Sequence, residues 1–124
     1  METTLKQIGA EERKKLREPF PAEAMQKHPT KTYLTTIKAM YVTERLNDVF
    51  GVGKWELVTE LVLATNDSFV VKGKLVSNYW DFQCTAQYGG HTIGEKDKMD
   101  LADGYKSAVT DCMGKVASLF EIGI

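Results

Sequence analysis

An excess of charge of either sign is what this 124-residue sequence lacks. Its 16 Lys and Arg face 17 Asp and Glu, a formal net charge of −1 with the histidines neutral, and its pI is about 6.1. That balance argues against a protein that coats nucleic acid by bulk charge. It leaves open a surface that gathers a few basic side chains while acidic ones face elsewhere. No apolar run approaches the ~18 residues that span a bilayer, so no membrane partner is expected. Met1–Lys6 has no apolar stretch after a basic start, unlike a secretory signal. There are only two cysteines, Cys84 and Cys112. Without a signal segment they suit a reducing, cytoplasmic setting better than a disulfide framework. Both fall on apolar positions and read as buried thiols. Internal repeats and low-complexity segments are also lacking. What remains is 43% hydrophobic and 27% charged residues, the ordinary balance of a globular domain of this length.

Periodicity gives the organisation. Residues 1–18 form a polar N-terminal arm, with the charged run Glu11–Glu18 read as a solvated short helix or as a docking or phosphate-contacting segment. Pro19 and Pro21 extend the chain, and residues 22–32 form a loop with at most a short helical turn, broken at His28-Pro29. Thr30 or Thr32 can cap a helix over Tyr33–Phe50. Its apolar arc is wide: Ala39, Val42, Leu46, Val49 and Phe50 on one stripe, Leu34, Ile37 and Tyr41 on the next. Two covered sides, and self-association, are expected from it. Gly51 and Gly53 end it.

Three period-2 segments follow. Trp55, Leu57, Thr59, Leu61 and Leu63 alternate with Glu56, Val58, Glu60 and Val62. After a turn at Asn66-Asp67-Ser68, Phe69, Val71, Gly73 and Leu75 alternate with Val70, Lys72, Lys74 and Val76. A second turn is placed near Asn78–Asp81. Phe82, Cys84, Ala86 and Tyr88 then alternate with Gln83, Thr85 and Gln87, and Gly89-Gly90 is read as the end of the sheet. A polar loop over His91–Met99 leads to a helix from about Asp100 to Phe120, apolar at Tyr105, Ala108, Val109, Cys112, Met113 and Val116. The expected fold is α+β: a helix, a three-stranded antiparallel β-meander and a helix, the two amphipathic helices covering the apolar sheet face, in one domain over residues 19–124.

Catalytic patterns mostly fail. Gly51-Val52-Gly53-Lys54 lacks the earlier glycine and the following Ser or Thr of a phosphate loop. His28, His91, Cys84 and Cys112 have no metal-ligand spacing, and no Gly-x-Ser-x-Gly elbow exists. Asp97, Asp100 and Asp103 cluster near the last helix start, where carboxylates favour the helix dipole. A small metal-dependent enzyme using those three is the catalytic alternative. Otherwise neither a catalytic residue nor a cofactor is expected.

Basic residues must carry any nucleic-acid reading, because phosphates dominate affinity. Lys72 and Lys74 share the polar face of the middle strand. A three-residue turn would set Lys74 opposite Glu60, as a cross-strand pair, and Lys72 opposite Val62. Lys106 and Lys115 lie on the last helix, with Asp111 four residues before Lys115 as a salt-bridge partner.

Two segments resemble one family. Ala108-Val109-Thr110-Asp111, an apolar pair, a basic position, small residues and Leu119-Phe120 resemble the helix that follows the sheet in Rad fifty-two-type single-strand DNA annealing proteins. Tyr41–Gly51, with Arg45-Leu46-Asn47-Asp48-Val49-Phe50-Gly51 and then Trp55, is similar to the family's first core helix. Pro19-Phe20-Pro21 is similar to the leading segment of the bacterial and phage branch. The resemblance covers about Pro19–Gly123. It implies a homo-oligomeric ring that holds single-stranded DNA in a basic groove and anneals strands or protects ends without nucleotide hydrolysis. It also implies a recombinase or single-strand-binding protein recruited through a tail. The family's basic helix positions fall on Gly114 and Lys115, of which only Lys115 is basic here. A family arginine falls near Tyr41, which reads either as a base-stacking ring or as core. The implied DNA-binding residues are Lys115, Lys72, Lys74, Lys106 and Tyr41. A family-shaped scaffold with weak or no DNA binding is the other alternative, favoured by the pI and Gly114.

Overall fold

The alternation after Trp55 closes a long β-hairpin in the computed structural model, which describes residues 4–27, 35–82, 85–92 and 101–123. In chain order the elements are β1 (Lys6–Gln7), α1 (Ala10–Leu16), a 3-10 turn (Ala22–Ala24), β2 (Met25–Lys27), β3 (Thr35–Ile37), α2 (Ala39–Phe50), β4 (Glu56–Ala64), β5 (Ser68–Val76), β6 (Trp80–Asp81), β7 (Gln87–Thr92) and α3 (Leu101–Leu119). The class is α+β, as expected. The chain divides into two compact units. One comprises Met1–Trp55, Ser77–Phe82 and Ala117–Ile124, the other Glu56–Val76 and Gln83–Val116.

In the first unit Phe50 is the hub. Its ring meets Trp80, Phe82 and Phe120 at centroid distances of 5.4, 5.2 and 5.9 Å, and the Trp80 indole N–H donates to the Phe50 carbonyl at 2.9 Å. That bond satisfies the one polar atom of a buried indole. Val42, Leu46 and Val49 extend the buried stripe of α2. Gly51, at φ 100°, takes the left-handed turn that ends the helix. Arg45 ties α2 to the chain before it: Nη1 donates to the carbonyls of Leu16 and Glu18 at 3.0 and 2.8 Å, and the guanidinium lies 4.0 Å over Phe20. Within the segment read as an arm, α1 buries Leu16, and Arg13 forms a two-pronged ion pair with Glu121 at 2.7 and 2.8 Å.

Two expectations need correction in this unit. The helix does not include Thr35–Ile37, which pairs antiparallel with Met25–Lys27. Three consecutive β-branched residues, stiff at χ1, favour the strand, and α2 begins at Ala39. The expected start at Tyr33, the caps Thr30 and Thr32, and the break at His28-Pro29 lie outside the described residues. Nor does the third strand of the expected meander start at Phe82: the strand of that sheet is Gln87–Thr92, and Trp80-Asp81, expected within a turn, is a strand of its own. Trp80-Asp81 pairs in parallel with Lys6-Gln7, in a sheet separate from that of β7. The Ser77 hydroxyl accepts the Tyr79 and Trp80 N–H groups, both at 3.0 Å, and turns the chain so that Trp80 reaches Phe50.

In the second unit β4, β5 and β7 form an antiparallel sheet in that order. Phe69, Val71 and Leu75 are buried on one face, as are Ala108, Cys112 and Val116 of α3. The helix comes so close that side chains are excluded beneath it. A Cβ on Gly73 would lie 2.7 Å from Cys112 Sγ, and one on Gly89 2.6 Å from the Ala108 carbonyl oxygen. Gly89-Gly90 therefore does not end the sheet. It sits inside β7, whose Gly89 and Gly90 pair with Val71 and Val70, and Gly89 takes the position under the helix, where only glycine fits. Cys84 and the loop over residues 93–99 lie outside the described residues. The hairpin register also differs from expectation. The turn pairs Ala64 with Phe69 and Leu63 with Val70, and a bulge at Val62 adds one further step, so that Glu60 stands opposite Lys72 and Val58 opposite Lys74.

Two predictions follow from this packing. Gly89→Ala should destabilise the protein by at least about 1–3 kcal/mol in urea unfolding, the usual cost of overpacking. Gly114→Ala, where an added Cβ meets nothing within 4 Å, should stabilise it by up to about 1 kcal/mol. The hydrogen bond from Arg13, aided by the charges of Arg13 and Arg17 and opposed by burial, holds the Glu121 carboxyl below its ordinary 4.5. The ionised carboxylate is the stabilising form. Its contribution is present above the ordinary value and is lost as pH falls through the lowered one. Unfolding midpoints from neutral to acid pH should drop more steeply for the wild type than for Glu121→Gln.

Candidate nucleic-acid interface

Register decides which side chains share the sheet face that α3 leaves uncovered. Directly opposed residues of an antiparallel pair point the same way. Lys72 stands opposite Glu60 on one side and Tyr88 on the other. Lys74, two residues along β5, joins them beside Val58, with Val70, Leu63 and Gly90 further along. Lys74 is exposed and Lys72 half-buried. Lys72 Nζ lies 5.9 Å from the centre of the Tyr88 ring, and Tyr88 is 53% exposed. Val58, Val62 and Leu63 are also exposed on the outer strand. The face is thus mixed: Lys72 and Lys74 share it with the exposed Glu56 and Glu60 of the outer strand, with apolar side chains and with Tyr88.

Tyr88 is the residue that alternation misassigns. Counted from Phe82 it belongs to the covered stripe, but the strand does not run through from Phe82. It restarts at Gln87, and Gly89 takes the inward position under α3. The signal available beforehand is the Gly89-Gly90 pair itself, since a glycine within a strand marks a close backbone approach.

The remaining basic candidates do not converge on this strip. Lys106 and Lys115 are nine positions apart on α3, two and a half turns at about 3.6 residues per turn, so they leave opposite sides of the helix. Lys115 Nζ contacts Asp111 Oδ2 at 2.9 Å, and the same carboxylate oxygen accepts the Gly90 N–H at 2.9 Å. Asp111 thereby ties helix to strand and holds Lys115 as its i,i+4 partner. Tyr41 is half-buried on α2 in the other unit. Of the acidic trio, Asp103 is exposed in the first turn of α3, while Asp97 and Asp100 lie outside the described residues. No cluster of three or more His, Cys, Asp or Glu suited to a metal occurs among the described residues. Among those residues, no helix is long and apolar enough to cross a membrane.

The Asp111 geometry predicts unequal stability losses. Lys115→Ala removes one exposed ion pair and should cost a few tenths of a kcal/mol, about 0.3–0.5. Asp111→Ala also strips the acceptor from Gly90 and should cost about 1 kcal/mol or more. Equal losses in thermal or urea unfolding would mean that the Gly90 bond contributes nothing.

Compared with known families and curated proteins, the chain matches no family model and no curated sequence.

Proposed function

We propose that this chain is a single-stranded DNA-binding domain of the Rad fifty-two annealing type, acting as a self-associating protein without nucleotide hydrolysis. The observation that carries the reading is the pairing of Lys72 and Lys74 on the sheet face opposite α3, beside an exposed aromatic ring. Lysines on a rigid strand meet phosphates as point charges and read no base sequence. Annealing asks only that two strands be held with their bases available, so it needs no catalytic residue. The two motifs of α2 and α3 support the family reading from the sequence side. Self-association supplies what one subunit lacks, since a net charge of −1 leaves no excess of cations per chain, and repetition around a closed oligomer brings the lysines of this face together.

A scaffold role with little DNA affinity is the second reading. It is favoured by the Asp111 carboxylate, which pairs with Lys115, the basic residue at which the motif and this sequence agree. Fluorescence anisotropy with labelled mixed-sequence oligonucleotides across a salt series separates the two. Binding should be independent of base sequence and weaken with salt. Lys72→Ala and Lys74→Ala should each lower the salt slope by about 0.7, the value for one single-strand phosphate contact, whereas Lys115→Ala should leave it unchanged. No binding at low salt would favour the scaffold. Light scattering should give a mass of several subunits, and a monomer at micromolar concentration would contradict the annealing reading.

A further inference from the structure

We infer that Tyr88 is a base-stacking residue that makes the open sheet face selective for unpaired bases, an inference that rests on the single-strand-binding reading above. The ring stands on β7, a strand held by the β5 ladder and by the Gly90 N–H bond to Asp111. It is therefore presented from a fixed backbone rather than a loop, and little ordering entropy is lost when a ligand lies on it. More than half of it is solvent-exposed. The next residue on the same face of the strand, Gly90, has no side chain, and a Cβ there would reach only the Phe69 carbonyl oxygen and Val70 Cγ2 within 4 Å. The flank of the ring along the strand is thus bare. Lys72 sits directly across, its ammonium 5.9 Å from the ring centre. It lies where it can meet the phosphate of a nucleotide whose base lies on the ring.

An aromatic face and an adjacent cation on a flat strand suit a nucleotide with a free base face. In a duplex the base faces are already stacked on their neighbours, so Tyr88 has a partner only where bases are unpaired. Every base has a π-face, so the contact adds strand selectivity without sequence selectivity. Lys72 and Lys74 supply attraction common to any phosphate backbone; Tyr88 supplies the discrimination.

The test uses the full chain, with the wild type, Tyr88→Ala, Tyr88→Phe and Lys72→Ala each titrated against three labelled ligands of equal length. These are mixed-sequence single-stranded DNA, a wholly abasic strand and a blunt duplex. Tyr88→Ala should weaken binding to the mixed-sequence strand by about 5- to 150-fold, the range for loss of one base–aromatic stack, and leave the abasic strand and the duplex within twofold of wild type. Tyr88→Phe should retain wild-type affinity for all three, which also guards against a folding defect in the alanine variant. Lys72→Ala should weaken all three alike. If Tyr88→Ala has no effect, or weakens the abasic strand as much as the natural one, the stacking role is wrong while the binding reading stands. If the wild type binds none of the three, the binding reading itself fails. If Tyr88→Ala changes only the solution mass, the ring belongs to a contact between copies of the chain, and the stacking role is again wrong.

Discussion

The close approach of α3 to the sheet at Gly73 and Gly89 is the constraint on which the second unit depends. Two glycines, one on β5 and one on β7, bring the strand backbones up to the Ala108–Cys112 turn. Cys112 fills what space remains, and its thiol reaches the Gln87 carbonyl at 3.4 Å. Once that contact is made, every other strand position has its face assigned. Phe69, Val71 and Leu75 go under the helix; Lys72, Lys74 and Tyr88 go to the opposite face. The gathering of Lys72, Lys74 and Tyr88 on one face is thus a by-product of helix–sheet packing, and it needs no strongly basic sequence. Asp111 reinforces the arrangement from the helix side by accepting the Gly90 N–H, and in doing so it takes up Lys115. One packing decision therefore separates the lysines into a pair on the open face and one bound within the structure.

The first unit rests on a different physics, an aromatic cluster around Phe50. Its edge-on and tilted ring contacts are the geometries that aromatic quadrupoles favour. The Trp80 indole nitrogen within it is bonded to the Phe50 carbonyl. The outer layer is electrostatic: Arg45 on the Leu16 and Glu18 carbonyls, and Arg13 on Glu121. Glu121 holds a positive φ of 67°, which costs energy for a residue with a side chain.

Strong periodicity was legible in the sequence, and its interruptions were not. The alternation of β5 reads correctly because it is unbroken from Phe69 to Val76. The stripe Val42, Leu46, Val49 of α2 and the stripe Ala108, Cys112, Val116 of α3 read correctly for the same reason. The errors cluster where a local preference meets a tertiary demand. Thr35–Ile37 continues a helical pattern, yet its β-branched side chains pair with Met25–Lys27. Phe82 and Tyr88 are in phase by count, yet the strand of the larger sheet begins only at Gln87, and its register puts Tyr88 on the face of Lys72. The turn and the bulge at Val62 together shift the register by two residues, so that Glu60 passes from Lys74 to Lys72 and Lys74 faces Val58 instead. Of the candidate site, Lys72 and Lys74 were readable from spacing alone. Tyr88 was hidden, because its role follows from a strand boundary, and boundaries are set by packing.

The central claim is that the sheet face opposite α3 is where this protein meets single-stranded DNA. Mapping amide chemical shifts by NMR during titration with a short mixed-sequence oligonucleotide tests it most directly. The largest changes should fall on Lys72, Lys74, Tyr88 and Gly90, with residues 106–115 of α3 little affected. Changes concentrated on α3, around Lys106 or Lys115, with β5 and β7 unmoved, would contradict it.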